Sequence, residues 1–193
     1  MRGEIADYKE SLRRRVALLA GAPESALQQV YETKLRLNPG VQAFVHACQA
    51  AGLKTLLISG GFTYFSERVR RTLGLDFARA NTLGIANGRL TGTLLERPWG
   101  DIVDGAEKKR VLLEVCELMG IEPAQAIAVG DGANDVPMLQ TAGMGVAFRA
   151  KPAVAAEARL RIAHGDLTAL LFLQGYERAA FVTPEPAGRP AAT

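Results

Sequence analysis

Residues 126–139 read AIAVGDGANDVPML: small apolar residues run into Gly130-Asp131-Gly132, and a second carboxylate, Asp135, follows. An apolar run that closes on a carboxylate flanked by glycines has the form of a buried strand opening onto a site. An ionised carboxylate at a strand end, with backbone oxygens close by, suits a hard cation such as Mg²⁺. Asp135 falls in the first turn of the next helix, where it either serves the same site or caps the helix. Asn134 adds a neutral donor and acceptor between the two acids, and Gly132 and Ala133 leave room for a ligand.

A second glycine-marked stretch, Ser59-Gly60-Gly61, follows the apolar run KTLLIS. Backbone N–H groups freed by glycine close on an anion, and the Ser59 hydroxyl adds a donor. A tight turn needing positive φ reads equally from the same residues. A cation site and an anion cradle in one chain point to phosphate chemistry, which also needs fixed positive charge. The lysines are 9, 34, 54, 108, 109 and 151. Lys108 and Lys109 begin a helix that leads directly into the Asp131 strand; each alone also reads as a surface lysine.

The elements that must position these residues are legible from periodicity. Tyr8, Leu12, Val16 and Leu19 recur at helical spacing over 5–20, and Gly21 ends the run. Further helices are predicted over 25–35, 41–51, 63–73, 105–119 and 134–142, then from about Pro152 and over 167–175. Strands are predicted over 54–58, 126–130 and 144–148, with a type I′ hairpin at Asn87-Gly88. Strands alternating with helices imply an α/β fold, a parallel sheet with helices on both faces. The first two helices have no strand between them and read as a separate helical subdomain. The expected organisation is a helical segment over 1–37, an α/β core over 38–175 and a tail over 176–193. That tail is rich in Pro, Ala and Gly and is expected to be disordered.

Of 193 residues, 48% are hydrophobic and 22% charged, with net charge +3. This is ordinary globular composition, long enough for one domain with a core. Basic residues are scattered apart from Arg13-Arg14-Arg15, which reads as a solvated helix face, so no nucleic-acid footprint is present. No apolar run reaches the roughly 18 residues of a membrane span, and no signal-peptide pattern opens the chain, so a cytoplasmic protein is expected. Cys48 and Cys116 read as core thiols, and His46 and His164 as structural or surface residues.

LLISGGF, the lysine ahead of a strand and VGDGANDVPM together resemble the haloacid dehalogenase superfamily of phosphatases. MRGEIADYKESLRRRV, GGFTYF, ANTLGIANGRLTG, GDIVDGAEKK and AKP extend the resemblance to its phosphoserine phosphatase family, over residues 1 to about 175. The resemblance implies a Rossmannoid sheet with a small helical cap, and Mg²⁺-dependent hydrolysis of a small phosphate ester. The expected substrate is O-phospho-L-serine, cleaved through an aspartyl-phosphate in the last step of serine biosynthesis. It implies that Ser59, Gly60 and Gly61 bind phosphate and that Lys108, or its neighbour Lys109, neutralises it. Asp131 would ligate Mg²⁺, Asp135 would support the metal site without ligating, and Asn134 would touch the phosphate. Arg15 would pair with the substrate carboxylate, while Tyr8, where the family usually has Phe, and Met1 would wall the pocket. Trp99 falls in a small insertion and reads as a surface-loop residue.

One family feature has no counterpart. The nucleophile and general acid of the family lie in a DxDxT segment closing the first, central strand. The aspartates of this sequence are 7, 76, 101, 104, 131, 135 and 166, and none begins such a run. The expectation is therefore a sheet lacking that strand, with two buried edges unpaired at about 1–3 kcal/mol per unsatisfied group. Residues 179–183, AAFVT, are a candidate filler. Three readings follow: a truncated and inactive form of a longer enzyme, a relative that binds phosphate metabolites or a protein without turnover, and a metal-dependent hydrolase that uses water. A phosphatase or phosphotransferase for another small phosphate ester is a further alternative.

Overall fold

The computed structural model describes residues 2–98, 100 and 102–175, with side chains from Tyr8 onward. Met1, Trp99, Asp101 and the tail from Tyr176, including 179–183, lie outside the described residues. The elements are α1 (Arg2–Ala17), α2 (Ser25–Thr33), α3 (Val41–Ala50), β1 (Leu56–Phe62), α4 (Thr63–Leu73), β2 (Phe77–Asn81), β3 (Leu83–Ala86) and β4 (Arg89–Leu94). They continue with α5 (Gly105–Met119), β5 (Ile127–Gly130), α6 (Val136–Thr141), β6 (Met144–Phe148), α7 (Pro152–Ala155), β7 (Leu160–Ile162) and α8 (Ala169–Leu173). They fall into two compact units. One holds the residues up to Leu35 and Leu56–His164; the other holds Arg36–Thr55 and the described residues from Gly165.

Local chemistry sets most boundaries. The Asp104 carboxylate accepts from the Glu107 N–H at 2.9 Å and starts α5. Left-handed glycines, Gly74 after α4 and Gly120 after α5, stop both helices. Asn87 and Gly88 have φ of 50° and 69°, the two positive values that a type I′ turn requires. Ile85 and Ala86 accordingly pair with Leu90 and Arg89 across that hairpin.

In the larger unit, β1 pairs with β2 in parallel, and β5, β6 and β7 form a second parallel sheet with β6 in the middle. Among the described residues, β1 bonds to β2 alone and β5 to β6 alone, so each has one edge without a ladder. The expectation of two fully buried edges needs correction, because every β1 residue is only half-buried. Two cores hold the unit together. Leu12 and Val16 of α1 and Leu27 of α2 pack with Leu83 and Leu90 of the hairpin and with Ile102. Leu112 and Cys116 of α5 pack with Ala128 and with Met138 and Leu139 of α6, and Ile58 of β1 joins them.

Three local readings differ from the structure. The first strand runs to Phe62, so Ser59-Gly60-Gly61 lies inside it; pairing with β2 shifts register between Ser59 and Phe62, which makes the glycine pair a bulge. Strands β2 and β7 carry too weak an alternation to be seen in sequence. The helix predicted over 134–142 begins as a 3-10 turn over Ala133–Asp135. In parallel strands alternate N–H groups point to opposite sides, so amide hydrogen exchange should divide β1 and β5 into protected and unprotected halves. Val146–Phe148 of the doubly paired β6 should be protected throughout. Uniform protection along β1 and β5 would show that both edges are covered.

Candidate active site

The site is assembled where β1, the strand-end turn after β5 and the start of α5 meet. At the turn the chain doubles back, and the Asp135 carboxylate accepts from the N–H of Asp131 at 3.0 Å and of Gly132 at 2.9 Å through Oδ2. Its other oxygen, Oδ1, accepts from Lys108 Nζ at 2.5 Å. Position 130 must be glycine for this return: a Cβ there would lie 2.4 Å from the Cβ of Asp135. Both partners of the ion pair are buried, Lys108 at 7% exposure and Asp135 at 5%. Lys109, one residue on, is exposed. The structure thus separates the two lysines that spacing alone left level.

Asp135 engages both oxygens in these three contacts. Asp131 is the reverse: it is exposed, and its carboxylate accepts no hydrogen bond or ion pair from the described residues. Among the described residues, no three His, Cys, Asp or Glu side chains gather as a metal cluster. The donor set is therefore one spare carboxylate. That fits a magnesium ion that keeps waters and takes further oxygens from a bound phosphate, and it does not fit an ion caged by protein alone.

A second corner of the site forms around Gly60. Its Cβ position would lie 2.5 Å from the Tyr8 hydroxyl, 3.6 Å from Asn134 Nδ2 and 3.6 Å from the Val103 carbonyl, so only glycine admits all three. Ser59 Oγ accepts from the Gly61 N–H at 3.0 Å, which holds the hydroxyl at the bulge. Tyr8 comes from α1, and burial pushes its phenol above the usual value. Arg15 and a hydrogen bond from Asn134 pull the other way, and Asp104 and Asp135 add to the rise. The phenol therefore remains a neutral donor at physiological pH. Arg15 itself is exposed, and its Nε donates to the Ser11 carbonyl at 3.3 Å.

Three residues that sequence reasoning passed over hold this arrangement. Asn81, 2% exposed, donates through Nδ2 to the Gly60 carbonyl at 2.8 Å and accepts at Oδ1 from the Val103 N–H at 2.6 Å. It ties the glycine bulge to the segment leading into α5. Asp104 caps α5 and also pairs with Lys9 of α1 at 3.3 Å. The Asp-x-x-Glu spacing of Asp104 and Glu107 before a helix was a readable signal. Lys9 and Asn81 had none, because each acts through tertiary contact.

The haloacid dehalogenase-like hydrolase family profile matches residues 2–140. A phosphoserine phosphatase of Albidiferax ferrireducens is 58% identical over 173 residues, which are 90% of this chain and 73% of that protein. One from a Polaromonas species is 56% identical over the same shares. The crystal structure of a probable phosphoserine phosphatase from Vibrio cholerae, in its unliganded form, superposes with a TM-score of 0.81 at 41% identity. That match covers 86% of this chain and 50% of the Vibrio chain, so the chain spans about half the length of that protein.

Breaking the buried pair from one side leaves an uncompensated charge, which costs on the order of 3–5 kcal/mol. Lys108→Met should lower the unfolding free energy by about 3 kcal/mol in a urea titration, whereas Lys109→Met should leave it within about 0.5 kcal/mol. Equal effects of the two substitutions would contradict the placement of Lys108.

Proposed function

We propose, for a chain that belongs to the haloacid dehalogenase-like hydrolase family, that its site binds the phosphate ester of an amino acid and that its activity is phosphoserine hydrolysis. One observation carries the reading. Lys108 and Asp135 are locked together beside an exposed, unpaired Asp131 and a glycine cradle reached by Asn134. The relatives named as phosphoserine phosphatases at 56–58% identity support the choice of substrate.

Each residue then has a task. The Ser59 hydroxyl and the backbone at Gly60 receive phosphate oxygens, with Gly61 holding the serine in place, and Asn134 donates to another. Lys108 places its charge beside them, held at a fixed position by Asp135 rather than left to a flexible stem. Arg15, whose guanidinium makes no ion pair among the described residues, takes the carboxylate end of the substrate. A magnesium ion would be held by Asp131 together with the phosphate, and it would neutralise charge as the phosphoryl group transfers. Asp135 would keep the Asp131 backbone in place without ligating. Helices α1 and α2 act as the cap over this site.

The covalent step needs an acceptor carboxylate, and no aspartate of these 193 residues begins a DxDxT run. The residues present bind, orient and neutralise. A polypeptide of this sequence should therefore bind phosphoserine in a calorimetric titration while giving no more than trace phosphate release. Adding an N-terminal strand that ends in DxDxT should give Mg²⁺-dependent hydrolysis, with phosphoserine preferred in a panel of small phosphate esters and Asp131→Asn abolishing it. Robust turnover by the 193-residue polypeptide, itself abolished by Asp131→Asn, would sink the requirement for that acceptor. Hydrolysis of other esters with phosphoserine untouched would sink the substrate.

A further inference from the structure

The Tyr8 hydroxyl reaches further than a pocket wall requires. It extends from α1 to the Gly60 bulge, 2.5 Å from where a Cβ would stand, with Asn134 Nδ2 3.6 Å from the same point. The Asn134 amide and the Arg15 charge both favour negative charge at the phenol oxygen. No described residue accepts the hydroxyl proton. The ring is held by packing in the α1 core, so the hydroxyl is aimed rather than free to swing. A half-buried donor without a described acceptor, beside an amide donor and a glycine bulge, suits a negatively charged oxygen.

We propose that the Tyr8 hydroxyl is a phosphate-binding donor, supplied by α1, that closes the cradle formed by Gly60, Asn134 and Lys108. A phosphoryl oxygen seated there accepts from Tyr8, so occupation of the cradle draws α1 onto the site. Arg15 lies two turns further along that helix, so the phosphate and carboxylate ends of one ligand are read by the same element. A phenylalanine at position 8 fills the same volume and leaves this bond unmade. The inference rests on the phosphate-ester reading of the site.

The test is a calorimetric titration of the 193-residue polypeptide and its Tyr8→Phe variant with inorganic phosphate and, separately, with phosphoserine. A hydrogen bond to a charged oxygen corresponds to roughly a tenfold change in affinity. The expected result is a loss of about tenfold for both ligands in Tyr8→Phe, by equal factors, because the bond lies at the group they share. Phosphate should also produce a near-ultraviolet tyrosine difference band that Tyr8→Phe abolishes and Tyr31→Phe retains; a merely structural tyrosine would give no such band. Unchanged affinity in Tyr8→Phe overturns the inference and leaves the phosphate-ester reading intact. A loss confined to phosphoserine also overturns it, placing the hydroxyl at the amino-acid end. Failure of the unchanged polypeptide to bind either ligand overturns that reading and this inference together.

Discussion

The Lys108–Asp135 pair joins two opposite charges inside the fold. Each side chain is stripped of water, and each recovers the loss only through the other and, for Asp135, through two backbone N–H groups. This constraint orders the surroundings. The first turn of α5 must lie against the strand-end turn after β5, which explains why a Cβ at Gly105 would stand 3.1 Å from the Asn134 carbonyl and why position 130 tolerates no side chain. It also explains why Asp104 must start α5 where it does: a helix begun one residue away would turn the lysine off its partner. Asn81 and Lys9 then fasten the glycine bulge and α1 to the same origin.

What could be read from sequence was whatever chemistry is local. The strand ending at Asp131, the helix carrying Lys108 and the Asn87-Gly88 turn are written in contiguous residues, and the family resemblance added the expected order of the site along the chain. The glycine pair at 60–61 was visible, but its place inside a bulge was not, because the bulge comes from re-pairing of Phe62 with Asn81 on another strand. Strand β2 escaped for a related reason: in FARAN the alternation is between small and polar residues, and its burial rises only toward Ala80 and Asn81. Lys108 and Lys109 differ in nothing that spacing can register; only the fold turns one inward.

The division of labour between the two acids follows the same logic. In sequence they are two carboxylates four residues apart, alike in type. In the fold one is engaged by a cation and two N–H groups while the other stands in solvent, so one is a fixture and the other is open to it. Likeness of sequence to the relatives from Albidiferax and Polaromonas cannot make that distinction by itself. The hydrogen-bond inventory of the turn does.

The half-paired strands β1 and β5 also bear on how the polypeptide behaves in company. An open parallel edge offers a row of donors and acceptors to any extended chain, and natural proteins blunt such edges with lysine, proline or a covering helix. Leu56–Ser59 and Ile127–Gly130 contain neither lysine nor proline. A net charge of +3 spread over 193 residues supplies little mutual repulsion. Among the described residues these two edges are thus the places most open to pairing with another extended chain, and salt would weaken what repulsion the charge supplies.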